Sequence, residues 1–146
     1  MTDATSEELS REECMQHLAG CPVGRIGVIV DGKPVVLPVN YRWIPGEISP
    51  YIAVRTRPGN VIDRGDAHAA FEIDGIDTYQ RTGWSVLVQG TLHHLGEVTL
   101  VRETLDSHPW LATDRESWLL IAPHAITGRR LHAPDVEWAF AARGYL

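Results

Sequence analysis

Nothing in this 146-residue chain approaches the run of about 20 apolar residues needed to cross a bilayer as a helix, so no membrane association is expected. An excess of positive charge is also missing. Lys and Arg number 13 against 19 Asp and Glu, a formal net charge of −6, and the basic residues are scattered apart from Arg129-Arg130. A nucleic-acid binder needs a basic face, and none is evident. Cysteine is scarce. Cys14 and Cys21 stand seven residues apart, roughly 10 Å along a helix axis, too far for a disulfide unless the helix ends between them. They are read as reduced, buried thiols. There is no G-x-G-x-x-G, which argues against a dinucleotide fold of alternating strands and helices. No G-x-S-x-G surrounds Ser85, which argues against a hydrolase. Seven histidines include no H-x-x-x-H and no H-E-x-x-H, and His93 and His94 point to opposite faces of an expected strand, so no metal site is expected. The N-terminus is polar and acidic, without a basic or an apolar stretch, and predicts a cytoplasmic protein with no secretory signal.

What is present suits one domain with its own core: 44% hydrophobic and 22% charged residues. Residues 1–9 read as a polar tail. Ser10-Arg11-Glu12-Glu13 has the spacing of a capping box and predicts a helix start, with Leu9 and Cys14 as its hydrophobic staple. Cys14, Leu18 and Cys21 fall on one face, and Gly20 and Pro22 end the helix. Strands are expected at 25–30 and 34–44, joined by the Asp31-Gly32 turn. Pro38 lies inside the second of these and cannot donate to a ladder, so it marks an edge, a bulge or a ligand-facing break.

Further strands are expected at 48–56, 68–74, 84–95 (the longest, placed centrally), 118–121 and 126–131. Residues 57–60 form a tight loop, 61–65 one or two helical turns, 75–83 a loop and 97–107 a helix. In the last residues, Val136, Trp138 and Phe140 alternate as a strand would. Six or seven strands, mostly joined by short turns, predict an antiparallel barrel.

Several segments, in order, resemble one family. These are residues 10–25; Val35-Val36-Leu37-Pro38-Val39-Asn40-Tyr41; Val54-Arg55-Thr56-Arg57-Pro58-Gly59-Asn60; Arg81-Thr82-Gly83-Trp84-Ser85 through Gly90; and Ile126-Thr127-Gly128-Arg129-Arg130-Leu131. Together they resemble the small flavin and deazaflavin proteins of the pyridoxamine-phosphate-oxidase-like group. The resemblance implies a mainly β fold, a six- to seven-stranded split β-barrel of the FMN-binding type, over residues 10–131, with 132–146 as an extension. It implies a homodimer with flavin in clefts between the subunits. Val39, Asn40 and Tyr41 would line the flavin ring. Arg55, Thr56 and Asn60, with the Arg57-Pro58-Gly59 turn, would hold the ribityl chain and phosphate. Trp84 and Ser85 would come from the partner or from beside the ring. Where many relatives carry lysine, this chain has Val61, and Arg57, Arg64 or Arg25 would have to compensate.

The loop chemistry makes sense without the family. An arginine offers a planar fork of donors to a phosphate, and a Pro-Gly turn can aim backbone N–H groups at the same anion. The expected activity is an FMN-dependent oxidoreductase that moves hydride equivalents through flavin N5 to a small molecule. The alternatives are an F420-dependent reductase on the same barrel and a non-catalytic flavin-binding or sensing dimer.

Overall fold

The computed structural model describes residues 5–46 and 49–132. Seven strands and two α-helices follow in chain order: β1 (Thr5–Glu8), α1 (Arg11–Gly20), β2 (Val23–Val30), β3 (Lys33–Ile44), β4 (Tyr51–Arg55), β5 (Ala67–Asp77), β6 (Thr82–His94), α2 (Arg102–Ser107) and β7 (Trp118–His132). Every strand pairing is antiparallel. The order β7-β4-β3-β2-β5-β6 closes through a β6–β7 pairing, and β1 adds to β7 beyond the end of β4. This is the barrel expected from the turn spacing. It is split at β3, whose first eight residues pair with β2 alone and whose last four pair with β4.

Local chemistry accounts for most elements. Glu13 N–H donates to Ser10 Oγ at 3.1 Å and Ser10 N–H to Glu13 Oε2 at 2.8 Å, so the capping box starts α1 as expected. Cys14 and Leu18 are fully buried beneath the helix, and both cysteines are free thiols. Asp31 and Gly32 take φ of 52° and 75°, the left-handed pair that a two-residue hairpin needs. Pro38 lies on the edge of β3 that has no strand partner among the described residues, the first of the three settings open to it.

The barrel interior is filled by alternate residues of the strands. Ile26, Val28, Phe71, Ile73, Val86, Val88, Leu92, Leu119 and Ile121 are buried, and Cys14 and Leu18 of α1, with Leu9 just before it, pack onto the same core. A second core lies outside the barrel wall. Ile44, Ala53, Trp118 and Leu120 pack there against Leu95 and Leu111 of the excursion between β6 and β7. The middle of β4 is buried on both faces because Ile52 and Val54 feed one core and Ala53 the other.

The structure corrects several expectations. Residues 5–8, read as part of a tail, pair with β7 because β4 leaves that edge of β7 open; Glu7 also meets Arg130 at 3.5 Å. Residues 118–121 and 126–131 are one strand, longer than β6. Pro123 produces a bulge instead of a break, because β6 runs unbroken beside it and the register shifts at Gln89/Gly90. The helix expected over 97–107 forms only at 102–107. Its N-cap is Val101, which supplies no side-chain cap, and Val98 and Leu100 instead pack on the second core. Residues 61–65 form successive turns and no helix, since side chains of Asn60 and Asp63 take up local backbone donors. Residues 78–81 alone are left of the 75–83 loop. The expected alternation at Val136, Trp138 and Phe140 lies outside the described residues. Among those described, no helix is long and apolar enough to cross a membrane.

Candidate functional site

Where β3 loses its second neighbour, a groove of about 990 Å³ opens. One wall is the edge of β3 that has no strand partner among the described residues, Leu37 to Asn40, continuing to Tyr41 and Arg42. The other is the end of β4 with the loop behind it: Arg55, Thr56, Arg57, Pro58, Asn60 and Ile62. Ser117 and Trp118, at the start of β7, complete the lining. Strand pairing brings these segments together. Tyr41 is opposite Val54, Arg55 is opposite Trp118, and Thr56 N–H donates to the Ser117 carbonyl at 2.8 Å.

Among the described residues, three arginines line the groove and no carboxylate does. Arg42 lies over the Trp110 ring at 4.5 Å and Arg55 over the Trp118 ring at 5.9 Å, while the two indoles sit 4.8 Å apart. Arg55 also meets Asp114 at 3.3 Å, with both side chains more than half exposed. Among the described residues, neither Arg42 nor Arg57 has a carboxylate partner. The groove is thus locally cationic in an acidic chain, with apolar surface from Leu37, Val39, Ile62 and Trp118.

The structure gathers eight of the residues named from sequence into this groove: Val39, Asn40, Tyr41, Arg55, Thr56, Arg57, Pro58 and Asn60. Their side chains differ in what they offer. Asn40, Arg55, Arg57 and Asn60 are exposed. Thr56 is buried, and its hydroxyl donates to the Arg57 carbonyl at 3.3 Å. The Tyr41 side chain turns into the core, where its hydroxyl donates to the Leu18 carbonyl at 2.6 Å and its ring meets Phe71 edge-on. Burial pushes that phenol's pKa up from its ordinary value. Tyr41 therefore borders the groove without presenting its hydroxyl to it.

Gly59 stands apart from the lining. Its φ of 83° explains the glycine, but its N–H donates at 2.9 Å to Asp63 Oδ2, not toward the groove. Trp84 and Ser85 do not line the groove of this chain. Trp84 is stacked on His17 of α1, with centroids 3.8 Å apart and planes at 14°, and Ser85 lies between Asp74 and Arg129 in the sheet.

Of the cations that would replace a lysine at Val61, only Arg57 is in the groove. Arg25 is held by Asp74 at 2.7 Å and Glu72 at 3.4 Å, and Arg64 Nε donates to the Val61 carbonyl. Sequence reasoning did not name Leu37, Pro38, Arg42, Ile62, Ser117 or Trp118 for the site. The period of two that makes Asn40 and Arg42 share a strand face was a usable signal for Arg42. Nothing local marked Trp118, which joins the site only by pairing with Arg55. No group of histidine, cysteine, aspartate or glutamate able to hold a metal occurs among the described residues.

Comparison with known proteins agrees with this fold. A family model for pyridoxamine 5'-phosphate oxidase matches residues 10–130. The chain is 32% identical over 131 residues to the uncharacterized protein Rv0080 of Mycobacterium tuberculosis, with 86% of each chain covered. Among solved structures it is similar to the FAD binding protein from Mycobacterium smegmatis, at 26% identity and a TM-score of 0.66, over 86% of this chain and 98% of that one. It shares the fold of an FAD-binding protein from Mesorhizobium loti, at 21% identity and a TM-score of 0.70, over 90% and 100% of the two chains.

Proposed function

The chain belongs to the pyridoxamine 5'-phosphate oxidase family, and we propose that it is a flavin-dependent oxidoreductase that holds a flavin nucleotide in the arginine-lined groove and acts on a small molecule. The observation that carries this reading is the lining itself: among the described residues, three guanidinium groups and no carboxylate, in a protein of net charge −6.

The residues fit the group. A flavin nucleotide joins a planar, largely apolar ring with a polar edge to a phosphate. Arg55 and Arg57 would take the phosphate, because a guanidinium fork matches its oxygens. Asn60 sits beside them with an exposed amide. Leu37, Val39 and Trp118 offer apolar surface for the ring, and the edge of β3 through Asn40, unpaired among the described residues, offers backbone groups for its polar rim. When bound, the flavin supplies the redox chemistry, accepting and returning hydride equivalents at N5. The chain contributes binding and orientation. Among the described residues the groove wall holds no histidine, aspartate, glutamate or cysteine, and the Tyr41 hydroxyl is already engaged, so none of these side chains is placed for general acid–base work.

FMN is the smallest ligand that uses these features, and its ring and first phosphate are also those of FAD. Titrating the protein with FMN, FAD, F420 and riboflavin, beside an absorption spectrum of the fresh preparation, tests the reading. Binding of FMN or FAD well above riboflavin is expected. A deazaflavin band with selective F420 binding would replace the cofactor, and binding of none of them would overturn the proposal.

We also propose a homodimer. Val23, Ile29 and Val36 are at least half exposed on the outer face of β2 and β3, and the groove is open beside them. A second copy related by a two-fold axis would cover both. Light scattering should give about twice the 16.2 kDa chain mass. A monomeric mass at micromolar concentration would sink this.

A further inference from the structure

The anion end of the groove is built on one exposed turn. Before it, Thr56 is fixed to β7 by its N–H bond to the Ser117 carbonyl at 2.8 Å; after it, Ile62 is buried in the barrel core. Residues 57–60 span the gap between these anchors, and all four are exposed. Asn60 N–H closes the turn on the Arg57 carbonyl at 3.0 Å, with Pro58 and Gly59 at its centre. A proline at the second position and a φ of 83° at Gly59 make it a type II turn. Type I and type II turns differ by a flip of the central peptide, and glycine tolerates both.

Asp63 grips that central peptide from behind. Gly59 N–H belongs to it, and donates to Asp63 Oδ2 at 2.9 Å. The other carboxylate oxygen, Oδ1, stands 3.5 Å from Nδ1 of His94 at the end of β6. The Asp63 side chain is 19% exposed, far less than the turn it holds. The His94 ring is seated on the backbone of Gly65, where an added Cβ would stand 3.1 Å from its Cδ2, and His94 itself pairs with Leu119 in the β6–β7 ladder. A chain of contacts thus runs from the barrel wall through His94 and Asp63 to the middle of the turn. The residues at the two ends of the turn, Arg57 and Asn60, line the groove. Charge alone argues against a carboxylate behind a phosphate loop, since like charges repel. The hydrogen bond that Asp63 accepts gives it a reason to be there.

We propose that Asp63, braced by His94, is a positioning residue that locks the Pro58–Gly59 peptide in its type II orientation and so aims Arg57 and Asn60 at the flavin phosphate. It acts through the turn and does not touch the ligand. The inference rests on the flavin reading above and concerns only how the phosphate end is organised. A turn released from Asp63 populates both peptide orientations, and affinity falls with the fraction in the competent one.

Fluorescence titration of the full chain with FMN and with riboflavin tests this, on wild type, Asp63→Ala, Asp63→Asn, His94→Ala and Asp66→Asn. Asp63→Ala should weaken FMN about tenfold, the loss of one hydrogen bond to a charged acceptor, and riboflavin less than about twofold. Asparagine keeps an oxygen for Gly59 N–H, so Asp63→Asn should hold FMN within about threefold of wild type. His94→Ala leaves the acceptor but removes its brace, and should weaken FMN about threefold with riboflavin spared. Asp66 meets His93 at 3.3 Å with its carboxylate 85% exposed. Asp66→Asn removes the same charge from the same segment and should change neither ligand by more than about twofold. Tighter FMN binding by both Asp63 variants would mean that the carboxylate acts only through its charge, and overturns the proposal. So does equal weakening of FMN and riboflavin with a lower melting temperature, which gives Asp63 a general structural role. Tight FMN binding that Asp63→Ala leaves unchanged removes this inference alone. Failure of every flavin to bind wild type removes the flavin reading and this inference with it.

Discussion

Replacing Arg55 by alanine removes the guanidinium at the meeting point of β4, β7 and the 57–60 loop. Its contribution to the fold is small. The ion pair to Asp114 spans 3.3 Å between side chains 66% and 54% exposed, and such pairs are worth about 0.2–1 kcal/mol. The same guanidinium facing a phosphate would make hydrogen bonds to a charged group, worth about 1.5–3 kcal/mol. Binding must also displace the Asp114 carboxylate, which cancels part of that gain. The net loss on Arg55→Ala is therefore about 1–2.5 kcal/mol, or roughly 5- to 70-fold in FMN affinity. Riboflavin lacks the phosphate and should lose less than about twofold. Fluorescence titration of both ligands against wild type and variant measures the difference, and a thermal melt should show nearly unchanged stability. Equal losses for FMN and riboflavin would refute the assignment of the phosphate to this end of the groove. A large drop in melting temperature would refute the reading of the Asp114 pair as weak.

Asp114→Asn is expected to act in the opposite direction. It frees Arg55 at a position whose φ of 55° asparagine tolerates, so FMN should bind up to about fivefold more tightly, and more so at low salt; weaker binding would contradict this. Gly128→Ala should destabilise the fold by about 1–3 kcal/mol in denaturant titration, because a Cβ there would stand 2.7 Å from Cys14 Sγ and 3.0 Å from the Ser85 carbonyl oxygen; an unchanged midpoint would mean that α1 docks loosely. Tyr41→Phe leaves the Leu18 carbonyl without its donor and should cost about 1–3 kcal/mol of stability, with flavin affinity little changed; selective loss of affinity would show the hydroxyl reaching the ligand.

Glu72 gives a pH signature. Burial first, then Asp74 beside it, raise its carboxyl to about 7 against the pull of Arg25. A carboxyl raised in the folded state is more readily ionised in the unfolded chain. Its cost to stability is absent below about pH 4.5, grows as pH rises and is complete above about 7. The melting-temperature advantage of Glu72→Gln should therefore appear between those values; a difference independent of pH would refute the cause.

Much of the fold depended on neighbours in the chain and was legible there. The Ser10/Glu13 capping box, the Asp31-Gly32 turn and the period-two runs of β2, β5 and β6 each arise from interactions within a few residues, and each formed where expected. The tight turn at 57–60 also lies where expected, at the end of β4, although its Gly59 N–H turned to Asp63 and away from the groove. The loop at 75–83 and the break near Pro123 were misread because long strands pair beside them, and the ladder extends any segment with a partner.

The groove itself is decided in three dimensions. Its walls are residues 37–42, 55–62 and 117–118, joined by β3–β4 and β4–β7 pairing between segments far apart in the chain. Which arginines face a ligand follows from partners equally distant: Arg25 is taken by Asp74, 49 residues on, and Arg55 meets Asp114, 59 residues on. Tyr41 went to the core and Trp84 to α1 for the same reason. Residue type set what each side chain can do, but its charge partner, its burial and the direction of its donors were settled only when distant strands closed the barrel.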